Sequence, residues 1–149
     1  MKFRYMESPH QYISLSHEGD KVIVYEKGDL LFIFNWHTTK SYEGYDVGTL
    51  WRSEHFILYD SDEERYDGHK RLTEAHKKWF KVENRNTNQR PYTLKMYLPS
   101  RCCIVLCSYE VARSKDFEIP EMPEVNKPED HMNNHFLKQN EPSLIEMKP

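Results

Sequence analysis

The sequence predicts an all-β protein, an antiparallel sandwich of roughly six or seven short strands followed by a disordered tail. Three observations point there. Short runs rich in β-branched and aromatic residues recur between turn signals as far as Ala112. All five glycines fall between Gly19 and Gly68, where tight turns are needed. Beyond Ala112 the composition shifts. Five of the eight prolines lie there among Glu, Asn and Lys, so that stretch cannot bury enough apolar surface to offset chain entropy.

The elements follow in order. Residues 11–16 alternate polar and apolar positions and end in the turn cluster His17-Glu18-Gly19-Asp20. Residues 21–26 (KVIVYE) fit a pleated surface. Lys27-Gly28-Asp29 joins them to Leu30–Asn35 (LLFIFN), and two apolar runs around a short glycine-bearing connection predict a β-hairpin. Leu30 to Phe34 is apolar without a break, so this strand is expected to be covered on both faces, which favours two packed layers. Residues 38–48 are aromatic, polar and glycine-bearing and read as a loop or an irregular edge. His55–Asp60 (HFILYD) is a further strand, closed by the charged run 60–65. Residues 74–81 could form about two turns of helix. Pro91 introduces Tyr92–Leu98, with Tyr92, Leu94, Met96 and Leu98 on one face and Thr93, Lys95 and Tyr97 on the other. Pro99-Ser100-Arg101 then leads into residues 102–109 (CCIVLCSY), so 92–109 reads as a second hairpin. The folded domain is expected over 12–112, after a lead-in over 1–11 and before a tail over 113–149.

Charge narrows the function classes. Up to Ala112 there are 16 Lys+Arg against 16 Asp+Glu, so the body is neutral, and the tail carries the net −3. A neutral body without a basic stripe argues against nucleic acid as a partner. No apolar run approaches the ~20 residues needed to span a bilayer, and the N-terminus lacks the apolar stretch of a signal peptide, so no membrane partner is expected. The three cysteines, Cys102, Cys103 and Cys107, lie together in one segment, unlike a disulfide framework, and fit reduced thiols in the cytoplasm.

Residues 12–26 (YISLSHEGDKVIVYE), followed by LLFIFNWH and KSYEGYDVG, resemble eukaryotic 1,4-α-glucan branching enzymes. So do residues 60–72 (DSDEERYDGHKRL) and 90–101 (RPYTLKMYLPSR). The matching segments run in the family's order and correspond to the C-terminal all-β domain that follows the catalytic barrel in the α-amylase superfamily. The resemblance implies a Greek-key β-sandwich of about six to eight strands. It also implies a role in forming α-1,6 branch points in an α-1,4 glucan, with the domain supporting a (β/α)₈ barrel as its partner. The family's catalytic carboxylates sit on the barrel, so none carries over. This chain is expected to be inactive alone, with no catalytic residue, no metal ligand and no cofactor. Two alternatives stand beside this: a stand-alone α-glucan-binding module, and an interaction domain that docks on a separately encoded barrel.

Candidate chemistry is sparse. Residues 60–64 (DSDEE) supply carboxylates but read as a solvated strand end, and as a calcium loop they put Arg65 where glycine is required and Arg71 where Glu is required. Trp36, Tyr42, Tyr45 and Trp51 are the best candidates for binding carbohydrate, because sugar rings stack on exposed aromatic faces. Lys40, Glu43 and Asp46 could take hydroxyls. The competing reading packs Trp36 and Trp51 into the core or against the barrel. Cys103 and Cys107 share a strand face as small hydrophobes, with no zinc-ligand spacing nearby. His17 and His37, which match the family pattern, fit turns better than catalysis.

Overall fold

The structure, a computed structural model, describes residues 5–72 and 79–120. Among these residues eight strands form two antiparallel sheets: β1 (Gln11–His17), β2 (Val22–Lys27), β3 (Leu30–Asn35), β4 (Tyr42–Thr49), β5 (His55–Asp60), β6 (Val82–Glu83), β7 (Tyr92–Leu98) and β8 (Cys102–Ser108). The larger sheet runs β1-β2-β3-β8-β5 and the smaller β4-β7-β6. The chain changes sheets between β3 and β4, between β4 and β5, between β5 and β6, and between β7 and β8, giving the Greek-key sandwich that the resemblance implies. One helix, α1 (Tyr109–Ser114), follows β8, with the Ser108 side chain capping its first turn by accepting from the Val111 N–H.

Strand alternation builds the core. Val22, Val24, Leu31, Ile33, Ile104 and Leu106 face inward from the larger sheet to meet Val47, Leu94, Met96 and Leu98 from the smaller. The opposite positions of the larger sheet are apolar too. Leu30, Phe56, Val105 and Cys107 form a second cluster with Phe32, Leu58, Tyr59 and Cys103, partly covered by Val111, Ala112, Phe117 and Ile119. The unbroken apolar run in β3 is thus explained, since both faces of that strand meet other side chains.

Two expectations change and one, the irregular edge over 38–48, is narrowed to a strand. Residues 92–109 are not a hairpin: β7 pairs with β4 and β6, whereas β8 pairs with β3 and β5. Pro99-Ser100-Arg101 is a corner between sheets, and Arg101 takes the left-handed conformation there (φ 55). Residues 38–48 contain the edge strand β4, whose register slips between Tyr42 and Tyr45 at Gly44 (φ 55). Packing also runs past Ala112, because Phe117 stacks near Phe56 with centroids 6.4 Å apart. The helix expected over 74–81 falls mostly outside the described residues; Phe80, which lies inside them, forms an isolated bridge. That residue exchanges backbone hydrogen bonds with His55 at 2.8 and 3.1 Å. Most of the expected disordered tail also lies outside them.

Two polar clamps hold the sandwich. Glu26 is fully buried and pairs with Arg90, with Nε–Oε1 at 2.7 Å and Nη2 donating to Oε2 at 3.1 Å, while His10 Nε2 lies 3.0 Å from Oε2. Arg90 also covers the Tyr12 ring at 3.5 Å. Since Glu26 lies on β2 and Arg90 precedes β7, the pair ties one sheet to the other. The second clamp joins the 60–72 loop to the inter-sheet corner. Arg71 donates to Asp62 and, through Nη1 and Nη2, to the Ser100 hydroxyl (2.9 Å) and carbonyl (2.7 Å). The loop closes tightly enough that a Cβ on Gly68 would collide with the Asp62 backbone.

Candidate functional site

The strongest surface feature follows from strand spacing. Phe32, Phe34 and Trp36 alternate along β3 and just beyond it, so they share the outer face of the larger sheet. Tyr25 on β2 sits opposite Phe32 in register. The rings lie nearly parallel: Tyr25–Phe32 at 5.0 Å and 2°, Tyr25–Phe34 at 5.9 Å and 8°, and Phe34–Trp36 at 5.3 Å and 4°. Tyr5 adds a tilted contact to Phe32 at 6.0 Å. Beside this row an open groove of about 430 Å³ is lined by Tyr25, Phe32, Phe34, Leu58, Tyr59 and Val105, among others. Ile13 on β1 pairs with Tyr25 and is 57% exposed, extending the apolar face toward the sheet edge.

The four aromatic candidates for a sugar site divide. Trp36 is 60% exposed. Tyr42 and Tyr45 instead pack against the inter-sheet core, and both hydroxyls are taken: Tyr42 donates to the Asp20 carbonyl at 2.7 Å and Tyr45 to the Asp20 carboxylate at 2.9 Å. Burial and that carboxylate push the Tyr45 phenol well above its ordinary range. Trp51 is half-buried between the two apolar clusters and tilts against His55 at 6.1 Å. Lys40 lies over the Tyr42 ring at 5.0 Å. Asp46 is held by a bidentate Arg85 at 3.0 and 3.1 Å, on the far side of the smaller sheet from the core. The structure therefore does not gather these residues into one platform.

The carboxylates of the 60–64 run are not all solvated. Asp60 and Asp62 are buried, whereas Glu64 and Arg65 are exposed. Asp60 Oδ1 accepts from the Asp62 N–H at 2.9 Å. The two Asp62 oxygens accept from the backbone N–H groups of His69 and Arg71 and from the Arg71 guanidinium. Burial alone would raise this carboxyl's pKa, but those hydrogen bonds outweigh it and leave the group lower than usual. A carboxylate so occupied is built to organise a loop rather than to transfer a proton.

Nδ1 of His17 and of His37, the buried His55 and the thiols likewise serve the fold. His17 Nδ1 accepts from the Asp20 N–H (2.9 Å) and His37 Nδ1 from the Lys40 N–H (2.9 Å), so each closes a turn. His55 is fully buried beside the Thr49 hydroxyl, its Nε2 2.9 Å from Oγ1. Burial lowers its pKa to about 3 against an opposing backbone hydrogen bond at Ser53, so the ring is neutral at physiological pH. Burial pushes the thiols up, Cys102 and Cys107 to about 12 and Cys103 to about 11, which keeps them protonated and poorly nucleophilic.

Sequence reasoning missed the row of Tyr25, Phe32 and Phe34. Its signal was present in the two-residue spacing of Phe32, Phe34 and Trp36. That the described residues leave the row open was not readable, because cover depends on segments distant in sequence.

Comparison with known proteins is consistent with this architecture. Residues 12–108 match the family described as the alpha amylase, C-terminal all-beta domain. The 1,4-alpha-glucan-branching enzyme of Dictyostelium discoideum is 39% identical over 105 residues, covering 70% of this chain and 15% of that enzyme. The Equus caballus enzyme of the same name is 43% identical over 102 residues (68% and 14%), and that of Saccharomyces cerevisiae is 38% identical over 109 residues (73% and 15%). The chain thus spans about 15% of the length of these relatives. The matched span opens inside β1 and closes at the end of β8, taking in both sheets and the arginine–carboxylate pairs of both polar clamps. This chain belongs to the family of α-amylase C-terminal all-β domains.

Proposed function

We propose that the chain acts as a non-catalytic β domain of a 1,4-α-glucan branching enzyme, supporting the catalytic barrel by docking the aromatic outer face of its larger sheet. The observation that carries this is the open, parallel row of Tyr25, Phe32 and Phe34 beside an apolar groove. An apolar sheet face left in water costs free energy, and a contiguous patch of this kind marks an interaction surface. The buried carboxylates support the non-catalytic part of the reading, since Glu26 and Asp62 are spent on arginines that hold the fold. Buried, protonated thiols suit a cytoplasmic setting.

The test mixes the full chain with a branching-enzyme barrel lacking its own C-terminal β domain. Co-elution in size-exclusion chromatography, lost in a folded Tyr25→Asp variant, is the expected result. Separate elution of the wild-type chain at high protein concentration would refute the docking. The purified chain alone is expected to leave the iodine staining of amylose unchanged.

A further inference from the structure

At the Trp36 end of the aromatic row the chemistry changes. There the β1–β2 turn rises beside the indole, and Ser16, His17, Glu18, Lys21 and Ile23 line, with Trp36, a second open groove of about 370 Å³. The first groove offers apolar surface almost throughout. This one sets one flat aromatic ring against a hydroxyl, an imidazole, a carboxylate and an ammonium.

The ring is also held in place. The Trp36 backbone N–H donates to the Lys21 carbonyl at 2.8 Å, which ties the residue to the turn beside it. Asn35, which is buried, donates to the carbonyls of Lys40 (3.1 Å) and Leu98 (3.2 Å) and accepts from the His37 N–H (3.0 Å). Phe34 supports one side of the indole. On the opposite wall, the Asp20 N–H occupies His17 Nδ1, so the neutral ring carries its hydrogen on Nε2. A large exposed apolar ring on a rigid frame needs little ordering when it binds, which is where affinity is gained cheaply.

We propose that this groove is a binding subsite for an α-1,4-linked glucan, with a glucose ring stacked on Trp36 and its hydroxyls taken by Ser16, His17, Glu18 and Lys21. A pyranose presents apolar C–H faces inside a rim of hydroxyls, each both donor and acceptor. The groove supplies the matching flat face and both kinds of polar partner. An apolar protein surface is better served by the groove beside Leu58 and Tyr59, and a polyanion would be opposed by Glu18. That the sugar is an α-glucan rests on the branching-enzyme reading; the stacking geometry does not. One open subsite implies a dissociation constant on the order of 1 mM for a short oligosaccharide. A polymer with many chains would be held more firmly by multiple engagement.

Native electrophoresis of the full chain through gels containing glycogen, with maltoheptaose as competitor, tests the subsite. Retardation of the wild type, reversal by maltoheptaose, and a loss of about tenfold in apparent affinity for Trp36→Ala are expected. Trp36→Phe, which keeps a ring and guards against a folding defect, should retain part of the retardation. Tyr25→Asp should be retarded like the wild type, so failure of barrel docking and failure of the subsite are read separately. Unretarded wild-type chain at high glycogen would overturn the proposal. So would full retardation of folded Trp36→Ala, or equal competition by a β-1,4-linked glucan oligosaccharide.

Discussion

The two outer faces of this sandwich are made of the same kind of strand and carry opposite chemistry. On the larger sheet the outward positions are Tyr25, Phe32, Phe34 and Val105, with Trp36 at the rim. On the smaller sheet they include Asp46, Glu83, Thr93 and Lys95, and Arg85 gathers Asp46 and Glu83 while Lys95 approaches Asp46 at 3.5 Å. The charged face is already satisfied by water and by its own ion pairs. Among the described residues the aromatic face is satisfied by neither, and the proposed docking on a barrel rests on that difference.

The largest way to break this contrast is to detach the sheets. Arg90→Ala leaves Glu26 buried without its guanidinium and should lower stability by about 3 kcal/mol, measured by urea denaturation. A loss no larger than that of a surface pair would mean the clamp is ornamental.

Acid provides the next effect. His55 titrates near 3 when folded against 6.5 when unfolded, so protons favour the unfolded chain. Its contribution is complete above pH 6.5 and drains away as pH falls toward 3, at up to about 1.4 kcal/mol per pH unit. His55→Gln should flatten that part of the stability profile, and an unchanged slope would place the titrating group elsewhere.

Smaller again is the aromatic row itself. A double-mutant cycle on Tyr25 and Phe32 should return a coupling of about 1 kcal/mol. The smallest effect is expected on the charged face. Arg85→Ala should shift the thermal midpoint only slightly, and the shift should vanish in high salt, since Arg85 and Asp46 are both substantially exposed. If the Arg85 change outweighed the Tyr25–Phe32 coupling, the contrast between the faces would be misjudged.

Several strands could be read almost to the residue, because alternation and turn chemistry are local. Leu30–Asn35, His55–Asp60 and Tyr92–Leu98 each coincide with an observed strand. The site was read less well. Trp36, Tyr42, Tyr45 and Trp51 look alike as aromatics near a glycine-bearing loop. Yet Asp20, more than twenty residues from either tyrosine, occupies both phenols and leaves Trp36 as the open ring among these four. The buried role of Asp62 was hidden in a run of charges for the same reason, since its partner Arg71 is set by the closure of the loop.

The amino-acid order by itself determined most of the extended segments, where most turns fall, and which family the chain resembles, since each rests on neighbours in sequence. Only the tertiary structure decided that β7 and β8 part into different sheets, and that Glu26 meets Arg90. It also decided which aromatic face stays open. A proline-containing turn between two apolar runs serves a hairpin or a corner equally well. The choice is made by distant groups, here Arg71 and Ser41 fastening Ser100.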